Sequence, residues 1–173
     1  SMMLTHDRTV FIGDTVVNEL PTATELADIA CAAARKVRQM GHEPRVAFLA
    51  YSNFGNPMRA RAEHIREAVK ILDARDDANF DYEGEVTADV ALDKRLRHLY
   101  PFSRLTKPAN ILIMPGLHSA HISMKMLQQL GEGVMIGPMM VGLDKPVQIA
   151  QMSANVNEIV NLAALAAADV IEG

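Results

Sequence analysis

Apolar residues along this chain follow two patterns. In the first they recur every three or four positions, as the buried face of an amphipathic helix does. Leu26, Ile29, Ala30, Ala33, Val37 and Met40 form such a stripe. It is preceded by Pro21-Thr22-Ala23-Thr24-Glu25, where Thr22 can cap and Glu25 completes a capping box. Gly41 stops this helix and Pro44 follows. Met58, Ala62, Ile65, Val69 and Leu72 predict a second helix, and Ile122, Met126, Leu127 and Leu130 a third that stops at Gly131. Ile159, Leu162, Ala163, Ala166 and Val170 predict a last one, starting near Asn155. In the second pattern the apolar residues are consecutive. Runs at 46–50, 111–114, 134–136 and 147–150 have the length and composition of buried strands. Residues 80–83 add a weaker strand, and 9–12 read as either a short strand or a linker. Residues 85–99 read as polar broken helix, with Asp93, Lys94, Arg95 and Arg97 on a solvated face.

Strands and helices alternate, so the expected class is α/β: a three-layer α/β/α domain on a mostly parallel (mixed) sheet. Ligands in such folds sit at the C-terminal ends of strands. That directs attention to the loops 52–57, 115–119 and 137–146, and to the turn after Ala150. The stretch 134–151 is the most unusual. Gly137, Pro138, Gly142 and Pro146 forbid a continuous helix, yet Met139, Met140, Val141 and Leu143 are apolar. A loop with that much apolar surface must be covered by the core, a partner or a ligand.

Composition narrows the function classes. A length of 173 residues suits one domain with a real core. A net charge of −4 argues against a nucleic-acid partner, which needs a basic face. No apolar run reaches the length of a membrane span, so no membrane partner is expected. The single Cys31 excludes an internal disulfide and suits a reducing, cytoplasmic compartment. Ser1 ahead of Met2 is what a cleaved expression tag leaves, so a piece of a longer protein is expected. Residues 1–20 are then a tag remnant with a linker or leading strand, and 21–173 the domain proper.

The chain contains no phosphate-cradling G-x-x-x-x-G-K-[ST] loop and no nucleophile elbow. Gly131, Gly133 and Gly137 follow a helix at the wrong spacing for a dinucleotide fingerprint and read as a stop and turn. His118 and His121 could share a metal, but no third ligand lies nearby in sequence, and capping or ligand contact is the preferred reading; no metal site is assigned. Glu158 is ambiguous. It can close a capping box with Asn155 or offer a general base to a cleft, and its spacing favours the cap.

Several segments together carry a family resemblance. They are Pro21-Thr22, Glu43-Pro44-Arg45-Val46-Ala47, Ala88-Asp89-Val90-Ala91-Leu92, Pro108-Ala109-Asn110, Ile136-Gly137-Pro138, Lys145-Pro146-Val147 and Asn161-Leu162-Ala163-Ala164-Leu165. They resemble the phosphate acetyltransferases and the acetyltransferase-like tail of bacterial hybrid NADP-dependent malic enzymes. The resemblance implies the second domain of a two-domain, isocitrate dehydrogenase-like architecture whose first domain is absent here. Active members carry Ser-Arg after the final strand and an Asp six residues after that Arg. Those residues steady the transition state, grip phosphate and take the CoA thiol proton. The positions here hold Gln151, Met152 and Glu158. A thioether has no charge and no donor with which to replace a guanidinium, so no catalytic residue is assigned.

Tyr51-Ser52-Asn53-Phe54-Gly55 replaces the Ser/Thr/Gly-rich loop of true acetyltransferases, and residues 100–105 resemble the malic-enzyme hybrids in particular. The resemblance therefore implies a regulatory domain that binds acetyl-CoA and builds a homo-oligomer, at least a dimer. An N-terminal malic-enzyme domain of the same chain would carry NADP and a divalent metal (Mg or Mn). An active phosphate acetyltransferase is the alternative. Candidate acyl-CoA contacts are Ser52, Asn53, Phe54, Gly55, Arg104, Gly137, Pro138, Lys145, Gln151, Met152 and Glu158. Lys107 and Lys125 could add charge, and Met139 and Met140 a greasy lining.

Overall fold

The computed structural model describes residues 1–58 and 60–172. Its element order is β1 (Met2–Thr5), β2 (Thr9–Gly13), α1 (Ala23–Gln39), β3 (Arg45–Leu49), α2 (Glu63–Asp73), β4 (Asp81–Val86), α3 (Ala88–Leu92), α4 (Lys94–Arg97), β5 (Ile111–Ile113), α5 (Leu117–Leu130), β6 (Gly133–Ile136) and α6 (Val156–Glu172). The six strands form one sheet in the order β4-β3-β5-β2-β1-β6. The first three pairings, from β4 to β2, are parallel, and the two involving β1 are antiparallel. This is the mixed α/β/α sandwich expected.

Strand pleating divides the core in two. Val46, Phe48, Ile111 and Ile113 face α1 and α2, where they meet Leu26, Ala30, Val37, Ile65, Val69 and Leu72. Ala47, Leu49, Leu112 and Met114 face the other layer, with Val90, Ala91, Leu105 and Ala120. Central strands buried on both faces must be apolar throughout, which is why β3 and β5 read as continuous runs. Helix α1 starts as expected: the Thr22 N–H donates to Glu25 Oε2 at 2.7 Å, and the Glu25 N–H donates back to Thr22 Oγ1. The backbone bond from Thr22 holds the Glu25 carboxyl below its ordinary range.

The structure departs from the sequence reading in several places. Residues 9–12 lie in an inner strand, and Met2–Thr5 is a further strand that the sequence reading left in a leading segment. Residues 147–150 form no strand. Their one sheet-like contact is an isolated bridge from Gln148 to Met139, and Val147 and Ile149 stay half-exposed because no neighbouring strand receives them. Helix α2 begins only at Glu63, after a short 3-10 turn at Ala60–Ala62, leaving Met58 in solvent. Helix α5 is rotated from expectation: it buries Ala120 and Met124, while Ile122, Met126, Leu127 and Leu130 point outward. In α6 only Leu162 of the expected stripe is buried.

Candidate functional site

The segment 51–57 links β3 to the helical turn before α2, and its polar groups are turned inward. Ser52 Oγ donates to Glu85 Oε1 at 2.5 Å, and the Gly55 N–H donates to the same oxygen at 3.2 Å. Arg66 Nη1 reaches Glu85 Oε2 at 2.8 Å. Glu85 is fully buried, so each of its oxygens needs these partners. Asn53 Oδ1 accepts from both the Thr87 N–H and the Thr87 hydroxyl. The backbone here is tight: Phe54 has φ 51 and Gly55 φ 81. A left-handed Phe costs about 1–2 kcal/mol, and the bonds to Glu85 and Asn53 offset it. Ser52, Asn53 and Gly55 therefore build a scaffold. Phe54 stacks with Tyr100 and Phe102, at ring distances of 4.9 and 4.8 Å.

Arg104 is likewise engaged. Strand β4 places Asp81 and Glu83 on one side, because alternate residues share a face, while a register shift before Val86 takes Glu85 out of that alternation. Glu83 accepts from the Arg104 N–H, and Asp81 accepts from the Thr106 N–H and hydroxyl. These bonds lay the loop of residues 104–106 along the exposed edge of β4, which blunts that edge. The Arg104 guanidinium donates to Asp73 at 2.5 Å and lies over the Tyr82 ring. Its donors are directed at its own frame.

Two of the three residues at the acetyltransferase positions, Gln151 and Glu158, come together. Gly137, Gln151 and Glu158 line a small cleft of about 50 Å³ with Gln128, Asn161 and Leu162. Within it Gln151 Oε1 accepts from Lys125 Nζ at 3.1 Å. The Asn155 N–H donates to Glu158 Oε2 at 2.7 Å, and the Glu158 N–H donates to Asn155 Oδ1 at 3.0 Å, the reciprocal bonds of a capping box. The Met152 side chain is fully exposed and lines no part of the cleft.

Pro138 and Lys145 lie elsewhere. With Met139, Met140, Val141 and Leu143 they form a strap over α1. Beneath the strap is a cavity of about 370 Å³, walled by Phe11, Ile12, Ile29, Ala32, Ala33 and Val37. It continues into a second space of about 260 Å³ bordered by Arg35, Lys36, Lys145, Asp144 and Asp169. A third concavity, a wide crevice of about 950 Å³, opens where β3 and β5 end. It is lined by Leu49, Tyr51, His64, Met114, Ser119 and Ser123 among others.

The α1 residues of the strap cavity were missed as site residues. The available signal was small Ala32 and Ala33 flanked by Lys36 inside a helical stripe. His118 and His121 are exposed, and no group of three metal-ligating side chains occurs among the described residues. No described helix is long and apolar enough to cross a membrane.

A mixed sheet in this strand order, with a glycine- and proline-punctuated strap leading into a capped C-terminal helix, defines a phosphate acyltransferase-type domain. The family model for phosphate acetyl/butaryl transferase matches residues 1–167, and the chain belongs to that family. Within it, the chain is 56% identical over 167 residues to the C-terminal part of the NADP-dependent malic enzyme of Rhizobium meliloti (strain 1021), covering 96% of this chain and 22% of that protein. It is 36% identical to the phosphate acetyltransferase of Buchnera aphidicola subsp. Schizaphis graminum, covering 94% of this chain and 23% of that protein. A phosphotransacetylase structure from Streptococcus pyogenes superposes with a TM-score of 0.93 at 30% identity, covering 99% of this chain and 53% of that one. The chain thus spans under a quarter of the length of those two curated relatives.

Proposed function

We propose that this chain is the acetyl-CoA-binding, oligomer-building domain of an NADP-dependent malic enzyme, and that it does not itself transfer acetyl groups. The observation that carries the reading is the state of the acetyltransferase positions. The Glu158 carboxylate is spent on the Asn155 amide, and the Met152 thioether faces solvent where the family places a phosphate-gripping cation. Acyl transfer to phosphate builds negative charge that fixed donors must stabilise. Losing one such donor costs about 10²–10³ in rate, and here both the cation and the base are unfit. The similarity to the C-terminal part of proteins named NADP-dependent malic enzyme supports a malic-enzyme part N-terminal to this domain; in this reading that part carries out the oxidative decarboxylation of malate with NADP and a divalent metal. The acyl-CoA would act on that part as an effector, in the cytoplasm.

Oligomerisation is supported by the outward stripe of α5. Ile122, Met126, Leu127 and Leu130 are 40–80% exposed, a contiguous apolar face of the kind that marks a subunit contact. The test uses the full-length protein. Acetyl-CoA should bind in calorimetry and lower the rate of malate-dependent NADP reduction. Robust formation of acetyl-CoA from acetyl phosphate and CoA would instead establish the active phosphate acetyltransferase.

A further inference from the structure

Two segments far apart in sequence meet near the β4 edge of the sheet. Residues 51–55 follow β3, and residues 98–105 follow α4. The Phe54 ring meets those of Tyr100 and Phe102, and the latter two stand edge to face with centroids 6.1 Å apart. Phe54 and Tyr100 are half-buried against the core layer of Leu49, Val86 and Val90 and anchor the cluster. Phe102 is 65% exposed, and the neighbouring Leu99 and Tyr51 are 69% and 57% exposed.

Both halves of the cluster are held by hydrogen bonds. The Phe54 N–H donates to the Glu85 carbonyl at 2.8 Å, beside the bonds from Ser52 and Gly55 to the Glu85 carboxylate. On the other side Arg97 Nη1 donates to the Leu105 carbonyl at 2.9 Å, closing the loop, and the Ser103 N–H donates to the Tyr100 carbonyl. Rings fixed in this way lose little freedom when something covers them. Phe54, Tyr100 and Phe102 line none of the four concavities described above. Small molecules are held in concave sites. A raised, pre-set aromatic surface suits another protein surface, where Tyr and Phe are enriched.

The identity of the covering surface follows from where the chain departs from its relatives. In the resemblance described above, residues 51–55 replace the Ser/Thr/Gly-rich loop of the acetyltransferases, and residues 100–105 resemble the malic-enzyme hybrids in particular. The structure stacks these two departures on each other. The rest of the acyltransferase fold does not account for them, because acetyltransferases have it too: this chain spans 53% of the Streptococcus pyogenes phosphotransacetylase. A second copy of this domain has its own apolar surface in the α5 stripe. Helix α5 packs against β2 and β6, toward the opposite edge of the sheet. What remains is the part that malic enzymes add, and this chain covers only 22% of the Rhizobium meliloti protein.

We infer that the Phe54–Tyr100–Phe102 cluster is where this domain docks on the malic-enzyme part of the same protein. This rests on the malic-enzyme reading above and adds the contact surface to it.

The test is photo-crosslinking within the full-length protein, with p-benzoylphenylalanine in place of Phe102 and, in a second protein, of Leu130 on α5. Both side chains are largely exposed, so the larger ring is accommodated, and circular dichroism checks the fold. Peptide mapping should join position 102 to the malic-enzyme part and position 130 to a second copy of this domain. Leu99→Glu should cut the yield from position 102 about tenfold, as expected for a charge placed in an interface. It should leave the yield from position 130 unchanged, which an unfolded variant would not. Products of position 102 confined to the rest of the acyltransferase fold or to a second copy, no product at all, or a yield indifferent to Leu99→Glu would each overturn the docking. In those cases malate-dependent NADP reduction by the same protein leaves the proposed function standing. Absence of that activity removes the proposed function, and the docking with it.

Discussion

The cluster around Glu85 yields a prediction whose size follows from its geometry. Glu85 is 0% exposed and accepts from Ser52, Gly55 and Arg66, so among the described residues its charge is balanced by Arg66. Replacing Arg66 by Met keeps most of the apolar stem and removes the cation. The carboxylate is then left buried with two neutral donors. Removing one partner of a buried pair costs about 3–5 kcal/mol. Because the Arg66 side chain retains 25% exposure, water can partly replace it, and the low end, about 3 kcal/mol, is expected. For a chain of this length that is a fall in Tm of about 6–12 °C. Glu85→Gln on the Arg66→Met background should recover part of the loss, since the buried charge is gone while Ser52 keeps a partner. Urea unfolding followed by circular dichroism of the four proteins of this cycle measures both effects. A loss below about 1 kcal/mol for Arg66→Met, or strictly additive changes, would show that Glu85 is not held by this pair.

Gly84→Ala should destabilise by about 1–3 kcal/mol in the same assay, because its Cβ would sit 2.6 Å from the Cβ of the buried Phe48 and 3.2 Å from the Phe48 carbonyl. Burial pushes the Asp73 carboxyl up, but hydrogen bonds from Arg104 and Tyr82 outweigh it and hold the group below its ordinary 3.8. A carboxyl depressed in the folded state adds stability above its unfolded value and loses it as pH falls through the folded one, so Arg104→Leu should flatten the loss of Tm on the acid side of pH 4. Ile122→Glu with Met126→Glu, both at positions 55% exposed, should leave the circular dichroism spectrum unchanged while lowering the mass of the assembly in light scattering.

Signals carried by local chemistry were legible in the sequence. The Thr22–Glu25 and Asn155–Glu158 boxes depend on residues three apart, and both form. The double-sided burial of β3 and β5 follows from their unbroken apolar runs. What was not legible depends on partners remote in sequence. Met2–Thr5 becomes a strand because Thr9–Gly13 and Gly133–Ile136 flank it on either side. Residues 147–150 have the composition of a strand but no neighbour to pair with. Periodicity in α5 correctly marks an apolar stripe, yet it cannot say whether the core or a surface beyond this chain receives it; the core takes Ala120 and Met124 instead. The same holds for the candidate site. There Ser52 Oγ and the Gly55 N–H are bonded to Glu85, and the Arg104 N–H to Glu83, partners on an edge strand far from them in sequence.

The central claim is that this domain holds an acyl thioester without transforming it. The direct measurement is a time course, by mass spectrometry, of acetyl-CoA and phosphate incubated with the full-length protein at stoichiometric concentration. The account predicts that acetyl-CoA co-purifies with the protein and is recovered intact. Free CoA and acetyl phosphate appearing in proportion to the protein added would contradict it.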